Sequence, residues 1–194
     1  NFVAEWHSAA RDHQSDANLF AVAALIPGIA SLGQWKSGGT LNPEELSLAR
    51  NAELASKGKV DFVICASGYL MTKHGDHEAA RIVFEECARQ GYTGAMTWMS
   101  YLDDNGFGAP ENAERATNWD QKAAEMGDPI AQYNYGLDLL RGRGVEANSK
   151  LGKQYIDRAA NSGLKDATAL RDSGYDYTSA TPDADEWKYL KPVF

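Results

Sequence analysis

The chain has 194 residues, 43% of them hydrophobic, and its 27 acidic and 19 basic residues give a formal net charge of −8. That apolar content is ordinary for a folded protein and excludes disorder throughout, and the acidic excess argues against nucleic acid as a partner. The longest apolar run, Leu19–Ile26, is much shorter than the roughly 20 residues that a membrane-spanning helix needs, so we expect no membrane insertion.

Residues 1–58 predict irregular helical units. Apolar residues occur there at helical spacing, but Pro27 interrupts the pattern because proline removes a backbone donor and clashes with the preceding turn. The chain begins at Asn1 rather than methionine, which a removed secretory signal would explain.

From residue 59 onward, small residues recur every 36 positions. Sequence periods of 20 to 50 residues are typical of solenoids, whose units bury a core only by stacking on one another. We therefore predict one all-α domain, 1–194, built as a right-handed α-α superhelix of helix–turn–helix units. The recurring residues are Ala88, Ala124 and Ala160; Gly91, Gly127 and Gly163; and Ala95, Ala131 and Ala167. The predicted units are 59–91, 92–127 and 128–163, followed by a C-terminal cap and tail over 164–194.

Each unit is predicted to be a hairpin of two helices, here called helix A and helix B. In the clearest unit, a glycine-containing segment, 141–145, separates two stretches with helical apolar spacing. Asn148 then stands where it can cap helix B, and Asn112 and Asp76 hold the equivalent places in the two preceding units.

The two cysteines, Cys65 and Cys87, fall in opposite helices of the 59–91 hairpin. Antiparallel packing would bring their Cα atoms within the roughly 7 Å that a disulfide requires. Two buried free thiols are the alternative. An oxidised pair would indicate a location outside the cytoplasm.

No motif in the chain predicts catalysis, a cofactor or a metal. His74 and His77 lack partners at the spacing of a zinc site, and Asp76 is better explained as a helix cap. Asp103 and Asp104 precede a glycine but lack the alternating acids of a calcium loop. We therefore expect no catalytic residues, no metal site and no cofactor.

Residues 59–170 resemble the Sel-one-like repeat (SLR) family, helical relatives of tetratricopeptide repeats. The resemblance lies in a small-residue pair in helix A, a Gly-x-Gly-Val turn and an Ala-Ala-x-x-Gly end. The matching segments are 131–136, 142–145 and 159–163, with the repeat junction at 123–131. It implies a protein–protein adaptor or scaffold of the kind found in bacterial envelope signalling, secretion and quality control.

The same resemblance implies that helix A lines the concave side of the solenoid. Trp98, Tyr101, Tyr133 and Asn134 fall on helix A and are the candidate partner-binding residues, because aromatic side chains dominate interaction hot spots. The alternative is that Trp98 and Tyr133 fill the core between repeats.

The function expected from these features is a non-enzymatic scaffold that binds a protein or peptide segment on its concave helix-A face. The alternative is a cell-wall-binding or hydrolytic protein acting on peptidoglycan, which predicts a compact polar pocket with a shifted carboxylate. The cysteine pair and a removed signal favour a bacterial periplasmic or secreted protein, and a cytoplasmic adaptor with reduced cysteines is the remaining possibility.

Overall fold

The computed structural model describes residues 47–178, 180 and 182, which all belong to one compact unit. Most of the irregular segment 1–58 and the aromatic tail beyond Pro182 therefore lie outside the described residues. Within them the chain forms eight α-helices and no strand. In order these are α1 (Leu48–Ser56), α2 (Phe62–Lys73), α3 (His77–Arg89), α4 (Thr93–Asp104), α5 (Ala113–Glu125), α6 (Pro129–Arg141), α7 (Ser149–Asn161) and α8 (Lys165–Asp172).

The helices α2 to α7 form three successive hairpins, in which α2, α4 and α6 are helices A and α3, α5 and α7 are helices B. Each helix B packs on its own helix A and on the helix A of the next hairpin, and α8 packs on α7 in the same way. The α1 helix packs against both α2 and α3. This arrangement confirms the predicted all-α solenoid of helical hairpins.

Polar side chains cap the three B helices as predicted. Asp76, Asn112 and Asn148 each accept a hydrogen bond from the backbone amide three residues further on, at 3.1, 2.8 and 3.0 Å. Such bonds satisfy amides that have no partner within the first turn of a helix. The caps therefore set where each B helix begins.

The glycines that recur every 36 residues end the B helices with the same backbone geometry. Gly91, Gly127 and Gly163 have φ values of +92°, +95° and +95°. This is a left-handed conformation that side chains with a Cβ rarely adopt, so the repeat retains glycine there.

Within a hairpin, helix A approaches helix B at a position that accepts only a small residue. A Cβ atom added to Gly136 would lie 2.7 Å from Cδ1 of Ile156, and one added to Gly68 would lie 2.6 Å from Cε1 of Phe84. Ser100 holds the equivalent position in the middle hairpin, 36 residues before Gly136. The close approach leaves room for a large apolar side chain on helix B.

A buried carboxylate joins the first hairpin to the second. Asp103 in α4 is fully buried, and its Oδ1 atom accepts from Arg81 of α3 at 2.7 Å and from Arg115 of α5 at 2.6 Å. A buried carboxylate is costly unless it is paired, and two guanidinium groups supply that pairing here. The bridge therefore couples helices from two different repeats.

The structure joins Cys65 of α2 to Cys87 of α3 in a disulfide. Both residues are buried, with 5% and 0% of their surface exposed. The bond links the two helices of the hairpin whose connecting turn is shortest, residues 74–76. Its buried position indicates a structural bond, since reactive cysteines are accessible to solvent.

We expect Gly144→Ala to destabilise the fold strongly. A Cβ at this position would lie 2.2 Å from the carbonyl oxygen of Ala113, and φ is +65°. Overpacking and a left-handed alanine together should lower the free energy of unfolding by roughly 3 kcal/mol or more, measured by urea denaturation. The matched control is Gly174→Ala, where φ is +75° and no atom lies within 4 Å. It should cost about 1–2 kcal/mol, and equal losses in the two variants would contradict the packing argument.

Replacing both cysteines, as Cys65→Ala/Cys87→Ala, should lower the free energy of unfolding by about 3 kcal/mol, because the disulfide closes a loop between residues 22 apart. Urea denaturation with and without a reductant checks this. The reductant should destabilise the wild-type protein by a similar amount and leave the double variant unchanged. A wild-type protein that is insensitive to full reduction would refute the prediction.

Candidate functional site

The structure divides the four candidate binding residues into two groups. Trp98 and Tyr133 are buried, with 2% and 3% of their surface exposed, so neither presents a ring to a partner. Burial favours the alternative that these two rings fill the core. Tyr101 and Asn134 line a pocket on the face formed by the A helices, here called the helix-A face, although Asn134 is itself only 3% exposed.

Trp98 is the centre of an aromatic cluster. Its ring stacks on Phe84 with centroids 5.7 Å apart and meets Tyr69 and Tyr101 edge-on, each at 5.4 Å. Offset and edge-to-face contacts of this kind stabilise a core beyond the area that they bury. Trp98 therefore supports Tyr101, the member of the cluster that reaches the pocket.

The pocket has a volume of about 260 Å³ and lies between α4 and α6, the A helices of the second and third hairpins. Most of its lining residues carry a polar group (two guanidinium groups, two amides, two hydroxyls and a carboxylate), although the lining surface itself is mostly apolar. The lining residues are Ser100, Tyr101, Asp104, Asn105, Asn134, Arg141, Arg143 and Pro182.

Beneath the pocket lies a buried carboxyl group, that of Asp120 in α5, which is 2% exposed. The Ser100 hydroxyl donates to its Oδ2 atom at 2.5 Å, and the Asn134 amide donates to Oδ1 at 3.5 Å. Burial raises the pKa of Asp120 well above its ordinary value, against the opposing effect of the hydrogen bond from Ser100. The site therefore favours the neutral acid at this position.

Asp120 stands at a position that is apolar in the other two hairpins, and no motif in the sequence singled it out. Phe84, Asp120 and Ile156 are 36 residues apart, and the outer two pack against Gly68 and Gly136. In the middle hairpin alone of these three, a hydrogen-bonded Ser–Asp pair takes the place of a glycine and a large apolar side chain. Aligning helix B at the 36-residue period would have revealed this polar residue at an apolar position.

A second buried acid, Asp138 in α6, accepts a hydrogen bond from the Thr117 hydroxyl at 2.8 Å. Burial raises its pKa to about 6, and the nearby Asp104 carboxylate contributes to the rise. The Thr117 hydroxyl also lies 3.0 Å from the backbone carbonyl oxygen of Arg143, and its single proton is shared between the two acceptors. This small network holds the turn that carries Arg143 against α5.

At the rim of the pocket, Asp104 forms an ion pair with Arg143. Burial raises the pKa of Asp104, although the hydrogen bond from Arg143 opposes the rise. Within the described part of the chain, the buried Oδ1 atom of Asp104 has no hydrogen-bond partner. A buried acceptor of this kind is costly to leave unsatisfied.

The other rim arginine binds main chain. Arg141 donates from Nη2 to the carbonyl oxygen of Tyr177 at 2.8 Å and to that of Ala180. Pro182, two residues further on, lines the pocket itself. The segment that follows α8 thus returns across the end of α6 to the pocket.

The size and chemistry of the pocket suit a short stretch of peptide. Its volume lies below the roughly 300–1,000 Å³ of pockets that enclose drug-sized molecules. Arginine and amide groups of the lining can donate to main-chain carbonyls. Among the lining residues two guanidinium groups stand against one carboxylate, and Asp138 and Glu111 also lie close enough to act on Arg143.

In the part of the chain that the structure describes, no helix is long and apolar enough to cross a membrane. Over the same residues, no three or more His, Cys, Asp or Glu side chains are grouped so that they could hold a metal ion.

These features define a class of protein, a helical-hairpin solenoid with a pocket between successive A helices. The sequence model of the Sel1 repeat matches residues 93–128 and 129–164, which begin where α4 and α6 begin. The resemblance to the SLR family is thereby confirmed, and the chain carries two Sel1 repeats. Proteins of this family are generally non-enzymatic scaffolds for protein interactions.

Two solved structures share the fold. A Sel1 repeat protein from Oxalobacter formigenes is 29% identical, with a TM-score of 0.52, over 58% of this chain and 50% of that protein. A protective antigen with an SLR fold, present in uropathogenic Escherichia coli strains, is 27% identical, with a TM-score of 0.57, over 68% of this chain and 29% of that protein. The chain thus matches half or less of the length of each relative.

Asp120→Asn should remove part of the dependence of stability on pH. Because the folded state raises the pKa of Asp120, it binds a proton more tightly than the unfolded state, and the free energy of unfolding falls as pH rises above about 4. The asparagine variant stays neutral. It should match the wild-type protein to within about 1 kcal/mol near pH 4 and become progressively more stable than it towards pH 8.

Thermal or urea unfolding across this pH range checks the prediction. The matched control is Asp172→Asn, the same substitution at a side chain that is 66% exposed. Parallel curves for Asp120→Asn would show that Asp120 is ionised in the folded state and would contradict the prediction.

Proposed function

We propose that this protein is a non-enzymatic scaffold that binds an extended, acidic segment of a partner protein in the pocket on its helix-A face. One observation carries the proposal: Arg141 at the rim already binds two main-chain carbonyls, those of Tyr177 and Ala180. A guanidinium group that recognises main chain in this way can hold an extended peptide of varied sequence.

The charges of the pocket support an acidic partner. Arg141 and Arg143 face one rim carboxylate, Asp104, while the Asp120 carboxyl beneath the pocket tends towards its neutral form. An acidic side chain would form charge-assisted hydrogen bonds with the guanidinium groups, which are about twice as strong as neutral ones. Exposed aromatic surface of Tyr101 at the same site would pack against the apolar parts of the segment.

The proposed location is the bacterial periplasm or the cell exterior, with a role in envelope signalling or secretion. The buried disulfide Cys65–Cys87 supports it, because such bonds persist in oxidising compartments. The two related structures come from bacteria, which supports a bacterial source.

A phage-displayed library of random short peptides, panned against the full chain, tests the function. We expect enrichment of sequences that contain Asp or Glu, and at least a tenfold loss of affinity for the selected peptides with Arg141→Gln, about 1.4 kcal/mol. Arg141→Lys should retain part of the affinity, because it keeps the charge but loses the planar fork. The matched control is Arg50→Gln in α1, an exposed arginine that lies outside the pocket lining. Peptides that bind the Arg141→Gln variant as well as the wild-type protein, or a panning without enrichment, would overturn the proposal.

One observation favours the peptidoglycan alternative as a second candidate. The pocket contains a carboxyl group, that of Asp104, whose pKa is raised by burial, and such groups cluster at catalytic sites. Release of soluble fragments from purified peptidoglycan, lost with Asp104→Asn, would establish it. The ion pair of Asp104 with Arg143 and the main-chain contacts of Arg141 favour the scaffold.

A further inference from the structure

The turn that carries Arg143 is held against α5 by a hydroxyl group that has two acceptors and one proton. Oγ1 of Thr117 lies 2.8 Å from Oδ2 of Asp138 and 3.0 Å from the carbonyl oxygen of Arg143. An ionised carboxylate and a carbonyl can only accept, and a threonine hydroxyl donates once. While Asp138 is ionised, one of the two oxygens therefore goes without the Thr117 proton.

Protonation of Asp138 completes this network. A neutral carboxyl group donates its own proton to Oγ1 of Thr117, which frees the Thr117 proton for the carbonyl of Arg143. The hydrogen bonds then run in one direction, and bonds in such a chain strengthen one another. The amides of Gly142 and Arg143 also donate to the main-chain carbonyl of Asp138, at 2.7 and 3.1 Å. Side chain and main chain of Asp138 thus hold the same turn.

The preceding junction makes the equivalent contact without a shortage of protons. Arg81 stands 36 residues before Thr117, and it donates to the carbonyl of Phe107 at 3.4 Å. Phe107 in turn stands 36 residues before Arg143. A guanidinium group has five N–H donors and keeps its charge at physiological pH. Of these two junctions, only the one at Thr117 therefore depends on the protonation of an acid.

The acid at this junction titrates close to neutral pH. Burial raises the pKa of Asp138 to about 6, against the opposing hydrogen bond from Thr117, and the Asp104 carboxylate contributes to the rise. In the folded protein Asp138 is therefore mainly neutral below about pH 6 and mainly ionised above it.

Charged and titratable groups face Asp138 from the elements around it. Those that act on it, or on which it acts, are Asp104 of α4, Asp120 of α5, Tyr135 and Arg141 of α6, and Arg143 of the turn. The charged side chains of α7, which also packs on α6, are exposed or half-exposed: Lys150, Lys153, Asp157 and Arg158.

We propose that Asp138 and Thr117 are positioning residues of the pocket, which hold the Arg143 turn against α5 while Asp138 is protonated and loosen it when Asp138 ionises. An acidic segment then binds more tightly at mildly acidic pH, since ionisation also places a negative charge beside the Arg143 guanidinium. This effect on binding rests on the proposed function, whereas the change in the turn needs no partner.

Amide hydrogen exchange of the full chain, followed by NMR from about pH 5 to pH 8, tests the turn. After correction for the intrinsic pH dependence of exchange, protection of the Gly142 and Arg143 amides should fall about threefold to tenfold as Asp138 ionises, which corresponds to one hydrogen bond. In Asp138→Asn the side-chain amide is a permanent donor to Thr117, so protection should stay high throughout.

Variants of Thr117 supply the matched pair. Thr117→Val has nearly the same shape without the hydroxyl and should show low protection at every pH, whereas Thr117→Ser keeps the hydroxyl and should follow the wild-type protein. Protection that ignores pH in the wild-type protein, or that still falls in Asp138→Asn, would overturn the proposal. Loss of the pH dependence in Asp120→Asn but not in Asp138→Asn would assign the titration to Asp120 and overturn it as well.

Fluorescence anisotropy tests the effect on binding, with labelled acetyl-Ala-Glu-Ala-Asp-Ala amide as the probe. The acidic side chains of this peptide stay largely ionised from about pH 5 to pH 8. Its Kd for the wild-type protein should rise about threefold to tenfold over this range, and much less for Asp138→Asn. An equal rise for both proteins would refute the link between the turn and the pocket.

The two measurements separate this proposal from the proposed function. A probe that binds at no pH, together with turn protection that depends on Asp138, would reject the acidic segment as the partner and uphold the positioning of the turn. A probe that binds through Arg141, together with turn protection that ignores pH, would uphold the scaffold and overturn the role of Asp138.

Discussion

The close approach of helix A to helix B is the constraint on which the rest of this solenoid depends. At the crossing, helix A offers only Gly68, Ser100 or Gly136, and the volume saved is filled by a side chain of helix B. Where that side chain is Phe84 or Ile156, the contact is apolar and adds only to the core. Where it is Asp120, the same geometry buries a carboxyl group below the helix-A face. A single packing rule thus yields structure in two hairpins and a candidate site in the one between them.

The helices and turns were predictable because their causes are local in sequence. An asparagine or aspartate caps each B helix within three residues of its own position, and a glycine with positive φ ends it. The small residues at the 36-residue period report contacts that every hairpin repeats. Signals of this kind need no knowledge of which neighbour a side chain meets.

The site was harder to predict because it depends on differences between repeats. Trp98 and Asn134 hold the same position in successive hairpins, yet the first centres an aromatic cluster and the second lines the pocket. Residue type and position on helix A favoured all four candidates equally, whereas only Tyr101 and Asn134 line the pocket, and Asn134 is itself 3% exposed. Arg141 went unnoticed because its role comes from the returning chain at Tyr177 and Ala180, about a full repeat later in sequence.

The hairpins also differ in the hydrogen-bond partners that their buried polar groups require. Asp120 requires Ser100 from its own hairpin, and Asp138 requires Thr117 from the hairpin before it. A buried polar group without its partner is destabilising, so the Asp138–Thr117 pair, which crosses between hairpins, favours this order of the second and third hairpins. The order of these two hairpins is thus favoured by a contact in the core as well as fixed by the sequence.

The bridge at Asp103 has a consequence for how such an array could grow. Solenoids lengthen in evolution by duplication of a unit, and a second copy of residues 92–127 placed after the first would bring its own Asp103 against the preceding helix B. At the position equivalent to Arg81, the preceding helix B would then carry Thr117, which stands 36 positions after Arg81. The buried carboxylate would therefore lose one of its two guanidinium partners. A new hairpin could therefore join the array at this place only together with a compensating arginine.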